Sequence, residues 1–453
     1  MFNEIGNAII KNRLVGKAAK IGTGIEVERD RIDESGHLST QPYPHDIGNE
    51  ATNPWITNDF LETMSEVVTP PAKNDLDTLH YSYAITLTLR KALAKNEMLW
   101  PLSMPPVLPK VKDESLLAKA SPKKRKYIEG LYHRYGVSRQ TPSGVHINVS
   151  IDDEIIAFLL EHFGTRFKRS VDVQNYVYPI VAQGFIKYRW LLTYLFGASP
   201  VAQANYFKPG EGPTHPVRSI RQSSYGYPTS FAVDYSSVEK YAEKIMNAVK
   251  DGKIMSIAEF YGAVRFKGSK DLNELKEKGI KYIELRMFDL DPTADVALKT
   301  TTLRFVRLLM LYFVMVGSTS TDDVTAELAT AQQMNEEVAV ENPTDKCKYE
   351  SEAREFTARL REFVNYLELG PEYLEVLNDV EDKVNNPNLT LSGYLVSQIK
   401  DGSLLDFGIA KAKQYQSDGL ESKYQFNGFK GTDGNISAEQ LKQGLFDGNW
   451  QPK

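Results

Sequence analysis

The chain is 453 residues long, with 42% hydrophobic and 25% charged residues, which is the composition of a folded globular protein and argues against long disordered tracts. Its 54 basic and 59 acidic side chains leave a formal charge of -5, so there is no electrostatic footprint for nucleic acid or an anionic membrane surface. The single cysteine, Cys347, excludes an intrachain disulfide and a cysteine-built zinc site, and it fits a reducing, cytoplasmic setting.

From the start, MFNEIGNAIIKNRL lacks the apolar core of a secretory signal and reads as mature from Met1. The segments GIEVERDRI (24–32), GVHINVSI (144–151) and KYIELRMFDLD (281–291) alternate apolar and polar residues and predict strands of one antiparallel sheet. Periods near 3.6 predict helices over 172–196, 238–251, 298–316 and 352–369. The most apolar stretch, 308–316, is about half the length of a membrane span, and a buried helix is expected there. The class is therefore α+β, with residues 1–320 as the chemical region and 321–453 as a helical scaffold packed on it.

Near the end, TDGNISAEQL resembles half a calcium loop but lacks the ligand ladder and the terminal glutamate. A turn leading into a helix capped by Ser437, with Gln440 closing a capping box, is the expectation. The basic run SPKKRKY (121–127) resembles a nuclear localisation signal and is read as solvated surface. No Walker-type phosphate loop and no G-x-G-x-x-G after a strand occurs, so nucleotide binding would rest on metal ions and arginines.

Residues two apart on a strand point the same way, so Glu26 and Glu28, His146 and Asn148, and Glu284 and Arg286 each share a face opposite an apolar one. For one strand alone, solvent-facing polar residues explain as much. Three such strands beside WITNDFLETMSEVVTP gather carboxylates closely enough to call for a hard, oxygen-ligated cation, Mg²⁺ or Mn²⁺. In that segment Asp59 and Glu66 are seven apart and share a face if the intervening turns are helical.

GIEVERDRI, WITNDFLETMSEVVTP, WPLSMPP, QTPSGVHINVS, YLFGASPVA, SSYGY and YIELRMFDLDP resemble, in order and spacing, the bacterial-type glutamate–cysteine ligase family over residues 22 to 300. The resemblance implies a curved antiparallel sheet, a half-funnel related to that of glutamine synthetase, surrounded by helices. It also implies ATP-dependent ligation of glutamate to cysteine through γ-glutamyl phosphate, the first step of glutathione biosynthesis.

Carried over by position, Glu26, Glu28, Asp59, Glu66, His146 and Glu284 resemble metal ligands, with Glu97 as a further one. Tyr127, Leu131, Gln140, Tyr227 and Tyr261 resemble the cysteine pocket, and Arg221 resembles the partner of a substrate α-carboxylate. Arg286 resembles the contact to the transferring phosphoryl group, with Arg265 as a second phosphate contact and Glu284 and Arg286 as the catalytic pair. Some relatives fuse an ATP-grasp ligase domain, for which the chain to Lys453 has no room, so the chemistry is expected to stop at γ-glutamylcysteine. The competing readings are a ligase joining glutamate to another amine and a catalytically silent glutamate- or nucleotide-binding paralogue.

Overall fold

The computed structural model describes the chain except residues 227–230, 318–322, 427, 430, 431, 433 and 447–453. Among the described residues, seven strands form an antiparallel sheet. They are β1 (Gly22–Asp33), β2 (Ile56–Asn58), β3 (Met64–Val68), β4 (Glu97–Leu99), β5 (Val145–Ser150), β6 (Val264–Lys267) and β7 (Tyr282–Phe288). The order is β2-β3-β1-β5-β7-β6, with β4 pairing the far end of β1. The three strands expected from alternation are thus the adjacent β1, β5 and β7.

One face of the sheet is sealed. Ile25 and Val27 of β1, Val145, Ile147 and Val149 of β5, and Ile283, Leu285 and Met287 of β7 join one core with the helices Ser170–Lys187 and Thr300–Val316. Each fully buried aliphatic side chain contributes about 1.5–3 kcal/mol. The apolar stretch 308–316 lies inside Thr300–Val316 and is buried throughout, as its composition predicts. Gly184 lets the two helices meet, because a Cβ there would lie 2.4 Å from the Phe313 ring. The same core takes in Val338, Phe356, Leu360 and Val380 from helices of the C-terminal third.

Two local expectations are corrected. Asp59 and Glu66 do not share a helix: the segment is the β2–β3 hairpin, closed by Asp59 N–H donating to the Met64 carbonyl at 2.9 Å. Its Thr, Val and Met residues suit a pleated surface, and Asn58-Asp59 is turn chemistry, which outweighs the seven-residue spacing. The helix expected over 172–196 is two helices, Ser170–Lys187 and Arg189–Phe196, broken at Tyr188. Tyr188 stacks on Phe356 with ring centroids 3.6 Å apart, so a tertiary contact holds the break. The capping box at the last helix, Ala438–Phe446, is present: Ser437 N–H donates to Gln440 Oε1 at 2.9 Å and Gln440 N–H to Ser437 Oγ at 3.2 Å.

Candidate functional site

The second face of the sheet carries the polar residues, and register decides which of them meet. Glu26 lies opposite His146, Glu28 opposite Glu66, and Glu284 opposite both Asn148 and Arg265. Between Ile147↔Leu285 and Val145↔Phe288 the register of β5 and β7 slips by one residue, so His146 faces both Arg286 and Met287. Such an extra residue bends a strand and re-aims its side chains. It keeps Glu284 and Arg286 on the polar face while Met287 and Phe288 both enter the core.

Glu26, Glu28, Asp59, Glu66, His146, Glu284, Arg221, Arg265 and Arg286 together line one chamber of about 250 Å³, with Tyr127, Leu131, Gln140 and Tyr261 on its wall. His146 is the hub. Its Nδ1 lies 3.2 Å from Glu26 Oε2, 4.0 Å from Glu284 Oε1 and 3.3 Å from Arg286 Nη1, and its Nε2 lies 3.7 Å from Glu28 Oε1. Asn148 Nδ2 donates to Glu26 Oε1 at 2.8 Å, and Gly144 N–H donates to Glu28 Oε2 at 3.0 Å. Arg286 Nη1 and Lys267 Nζ lie 3.4 and 3.1 Å from Glu284 Oε1.

The electrostatics split the carboxylates. Burial drives Glu66 well above its usual value, and the charges of Glu26, Asp59 and Glu28 push the same way. Burial also raises Glu28, reinforced by Asp59, against the opposing pull of His146. Burial works on Glu284 too, but Arg286, Arg265, Lys267 and His146 outweigh it and hold that carboxyl well below its usual range. In Glu26 the hydrogen bond and charge of His146 likewise outweigh burial. Glu28 and Glu66, directly opposed and of like charge, are the costly pair. A divalent cation is the neutraliser this donor set fits: ligand atoms of Glu26, Glu66 and His146 all lie within 4.8 Å of one another.

Glu97 is not part of this cluster. It pairs with Asp33 at the far end of β1, and its Oε1 accepts from Arg31 Nη1 at 2.6 Å while its Oε2 accepts from Ala94 N–H at 3.1 Å. Arg31 and Asp33 are odd-numbered in β1, on the face opposite Glu26 and Glu28, and Glu97 follows them there. Tyr227 lies outside the described residues. Arg265 lines the chamber, but its Nε and Nη2 are spent on the carbonyls of Phe260 and Ala258, both at 2.7 Å.

Tyr261 Oη donates to Gln140 Oε1 at 2.8 Å, joining two residues of the wall. Burial pushes the Tyr127 phenol up to about 12. Arg221 Nη1 donates to the carbonyls of Arg286 and Phe288 at 3.2 and 3.1 Å. Asp289, whose Oδ2 accepts from Ala198 N–H and the Ser199 and Ser219 hydroxyls, holds Oδ1 3.7 Å from the same nitrogen.

Sequence reasoning missed Lys124 and Phe60, which also line the chamber. Lys124 sits in the basic run read as surface, yet it is three residues before Tyr127 on the helix Pro122–Tyr135 and so shares its face. Asp30 continues the period of Glu26 and Glu28; burial raises its carboxyl to about 7, against the hydrogen bond it accepts from Thr63 Oγ1.

A family model described as glutamate-cysteine ligase matches residues 7–256 and 251–337. The glutathione biosynthesis bifunctional protein GshAB of Streptococcus thermophilus is 33% identical over 426 residues, covering 94% of this chain and 55% of that protein. Its namesake in Enterococcus faecalis is 35% identical over 415 residues, covering 90% and 54%. The chain thus spans about half the length of the curated relatives it matches.

A crystal structure of a bifunctional glutathione synthetase from Pasteurella multocida matches with a TM-score of 0.86 at 29% identity, covering 96% of this chain and 59% of that one. A glutamate–cysteine ligase from Francisella tularensis in complex with AMP matches with a TM-score of 0.80 at 22% identity, covering 94% and 93%, and shares the fold. No helix among the described residues is long and apolar enough to cross a membrane.

Proposed function

The chain belongs to the glutamate–cysteine ligase family, and from that premise we propose that it joins the γ-carboxylate of L-glutamate to the amine of L-cysteine, with ATP as co-substrate. The products are γ-glutamylcysteine, ADP and phosphate, and the reaction is the first step of glutathione biosynthesis. The observation that supports this reading is the convergence of Glu26, Glu28, Asp59, Glu66, His146 and Glu284 with Arg286 in one chamber walled by Tyr127, Leu131, Gln140 and Tyr261.

A carboxylate does not acylate an amine at neutral pH, so the glutamate γ-carboxylate first attacks the γ-phosphorus of ATP, releasing ADP and forming γ-glutamyl phosphate. The amine of cysteine then attacks the acyl carbon and phosphate leaves. Glu26, Glu28, Asp59, Glu66, His146 and Glu284 would hold Mg²⁺, or Mn²⁺ in its place. The bound cations would neutralise the repulsion between ATP and the incoming carboxylate.

Arg286, already oriented by Glu284 at 3.4 Å, presents a fixed guanidinium to the transferring phosphoryl group. Glu284 keeps its negative charge throughout the physiological range because the guanidiniums of Arg286 and Arg265 and the Lys267 ammonium surround it. Gln140 and Tyr261, locked to each other, form a rigid wall with Tyr127 and Leu131 for the small thiol side chain. An aromatic and aliphatic wall separates a thiol from a hydroxyl only modestly, so some use of other small amino acids is expected.

The test is ADP release with L-glutamate, L-cysteine, ATP and Mg²⁺, each omitted in turn, beside Glu284→Gln. Release that needs all four and is lost in the variant supports the ligase. Release that needs an amine other than cysteine moves the assignment to another acceptor. ATP and metal binding without any turnover moves it to a silent binder.

A further inference from the structure

On the reverse of β1, behind the metal-ligand face, two neighbouring arginines are treated very differently. Arg31 meets Glu97 at 2.6 Å and donates to the carbonyls of Gln41, Pro42 and Glu62. Arg29 shares that face by alternation and is only 4% exposed. Its Nη1 and Nη2 are buried without a hydrogen-bond partner, and among the described residues it enters no ion pair within 4.0 Å. Burying a charge in this state is strongly unfavourable, so a fold that keeps one implies a partner of another kind.

The surroundings of Arg29 add further donors. Register on β3 sets Ser65 opposite Arg29, and the Ser65 hydroxyl is also buried and unpartnered. Over this face runs the helix Asp75–Ala92, where Thr78 Oγ1, near the start, donates to the Thr23 carbonyl of β1 at 3.3 Å. Near its end Arg90 Nη2 donates to the Asp295 carbonyl at 2.7 Å, and Nη1 lies 3.8 Å from Asp295 Oδ2. Thr86, one turn before Arg90, holds another buried hydroxyl without a partner.

The region carries a positive charge that nothing inside it cancels. Burial, then the like charge of Arg90, pulls the Arg29 guanidinium down to about 9 against Asp295 and Tyr415, so it stays charged at neutral pH. The Tyr415 phenol is no counter-ion: burial pushes it up to about 12, and its Oη donates to the Pro292 carbonyl at 2.9 Å. The Asp295 side chain is 37% exposed and already faces Arg90, and Asp418, which also acts on Arg90, is exposed. Water would satisfy the N–H and O–H groups but leave the charge in place, whereas an anion accepts from all of them and neutralises it. The helix Leu405–Glu421 closes on Arg90, where a Cβ at Gly419 would lie 3.2 Å from its Cδ, so the space suits a small ion.

We infer that Arg29 and Arg90 bind a small monovalent anion of chloride's class on the reverse of β1, with the hydroxyls of Ser65 and Thr86 completing its shell. The inference is independent of the ligase reading. Glu28 and Arg29 are consecutive, so the anion fixes from behind the stretch of β1 that presents Glu28 to the metal-ligand chamber.

The probes are chloride and bromide. Melting of the whole chain is followed as chloride replaces gluconate at constant ionic strength, for the wild type, Arg29→Met, Arg29→Lys and Thr86→Val. The wild type should gain on the order of 2 °C per tenfold rise in chloride above half-saturation. Arg29→Met should lose that response while melting in gluconate at or above the wild type, because it removes an uncompensated buried charge.

Arg29→Lys and Thr86→Val should keep a weakened response, and if Arg29→Met does not fold, these two decide. Crystals of the wild type grown in bromide should show an anomalous peak in contact with the Arg29 guanidinium. Ordered water alone at that position overturns the site. A chloride response of equal size in the wild type and the folded variants overturns it as well.

Discussion

Gly144 and Arg221 occupy adjoining space so closely that a Cβ on residue 144 would lie 2.0 Å from Arg221 Nη2. The glycine is needed here for close approach: its N–H donates to Glu28 while the guanidinium lies against its Cα. Gly144→Ala should therefore shift Arg221 away from the Arg286 and Phe288 carbonyls. Overpacking of this kind costs about 1–3 kcal/mol. Displacing a positioning group by about 1 Å costs on the order of 10²-fold in rate. Melting temperature and ADP release should both fall, the second far more than the first.

Removal of divalent cations should make stability strongly pH-dependent. Glu66, Glu28 and Asp30 all have folded values raised above the unfolded carboxyl range of about 4. Such groups bind more protons folded than unfolded, so the fold is favoured at low pH and loses stability as pH rises from about 4 through the raised values. For Asp30 that window closes near 7. Glu26 and Glu284 act in the opposite sense: their contribution is present above the unfolded value and is lost only as pH falls through their depressed ones. In chelator, the melting temperature should drop between pH 5 and 8. Adding Mg²⁺ should restore it most at pH 8, where the ligands are ionised. A flat profile in chelator would contradict the charge split across β1 and β3.

Much of this was legible in the chain because strand alternation has a period of two. Once β1, β5 and β7 are recognised, Glu26, Glu28, His146, Glu284 and Arg286 must share a polar face. Pairing was not legible. Nothing local announces that Glu28 faces Glu66, or that His146 faces two residues of β7, because both depend on register between distant segments. The same limit misplaced Glu97, whose face is set by its partner Asp33, and hid the break at Tyr188 in the helix expected over 172–196, where the ring stacks on Phe356, 168 residues away in sequence.

Tyr261→Phe removes a hydroxyl that donates to Gln140 Oε1 and leaves the ring in place. A neutral hydrogen bond contributes about 0.5–1.5 kcal/mol, so the loss should be roughly 2–10-fold. It should appear in the KM for cysteine, with kcat and the KM for ATP little altered, because the hydroxyl joins Gln140 and Tyr127, two residues of the pocket wall. Varying cysteine at saturating glutamate and ATP measures it. A fall in kcat at constant KM would place Tyr261 against the reacting atoms instead of on the pocket wall.

Glu97→Ala separates a structural carboxylate from a ligating one. Its partner Arg31 is fully buried, and the same Nη1 that meets Glu97 also donates to the Pro42 carbonyl at 3.0 Å. Removing one member of a buried ion pair leaves the other uncompensated and typically costs about 3–5 kcal/mol. The carbonyls of Gln41, Pro42 and Glu62 still accept from the Arg31 guanidinium, which should hold the loss toward the lower figure. The fold is therefore expected to survive with a lowered melting temperature. Divalent-ion affinity, read by calorimetric titration of the folded variant, should match the wild type, whereas Glu66→Gln should weaken it sharply at unchanged or raised stability. A Glu97→Ala protein that melts normally but binds the cation poorly would reverse the placement of Glu97 on the opposite face of β1.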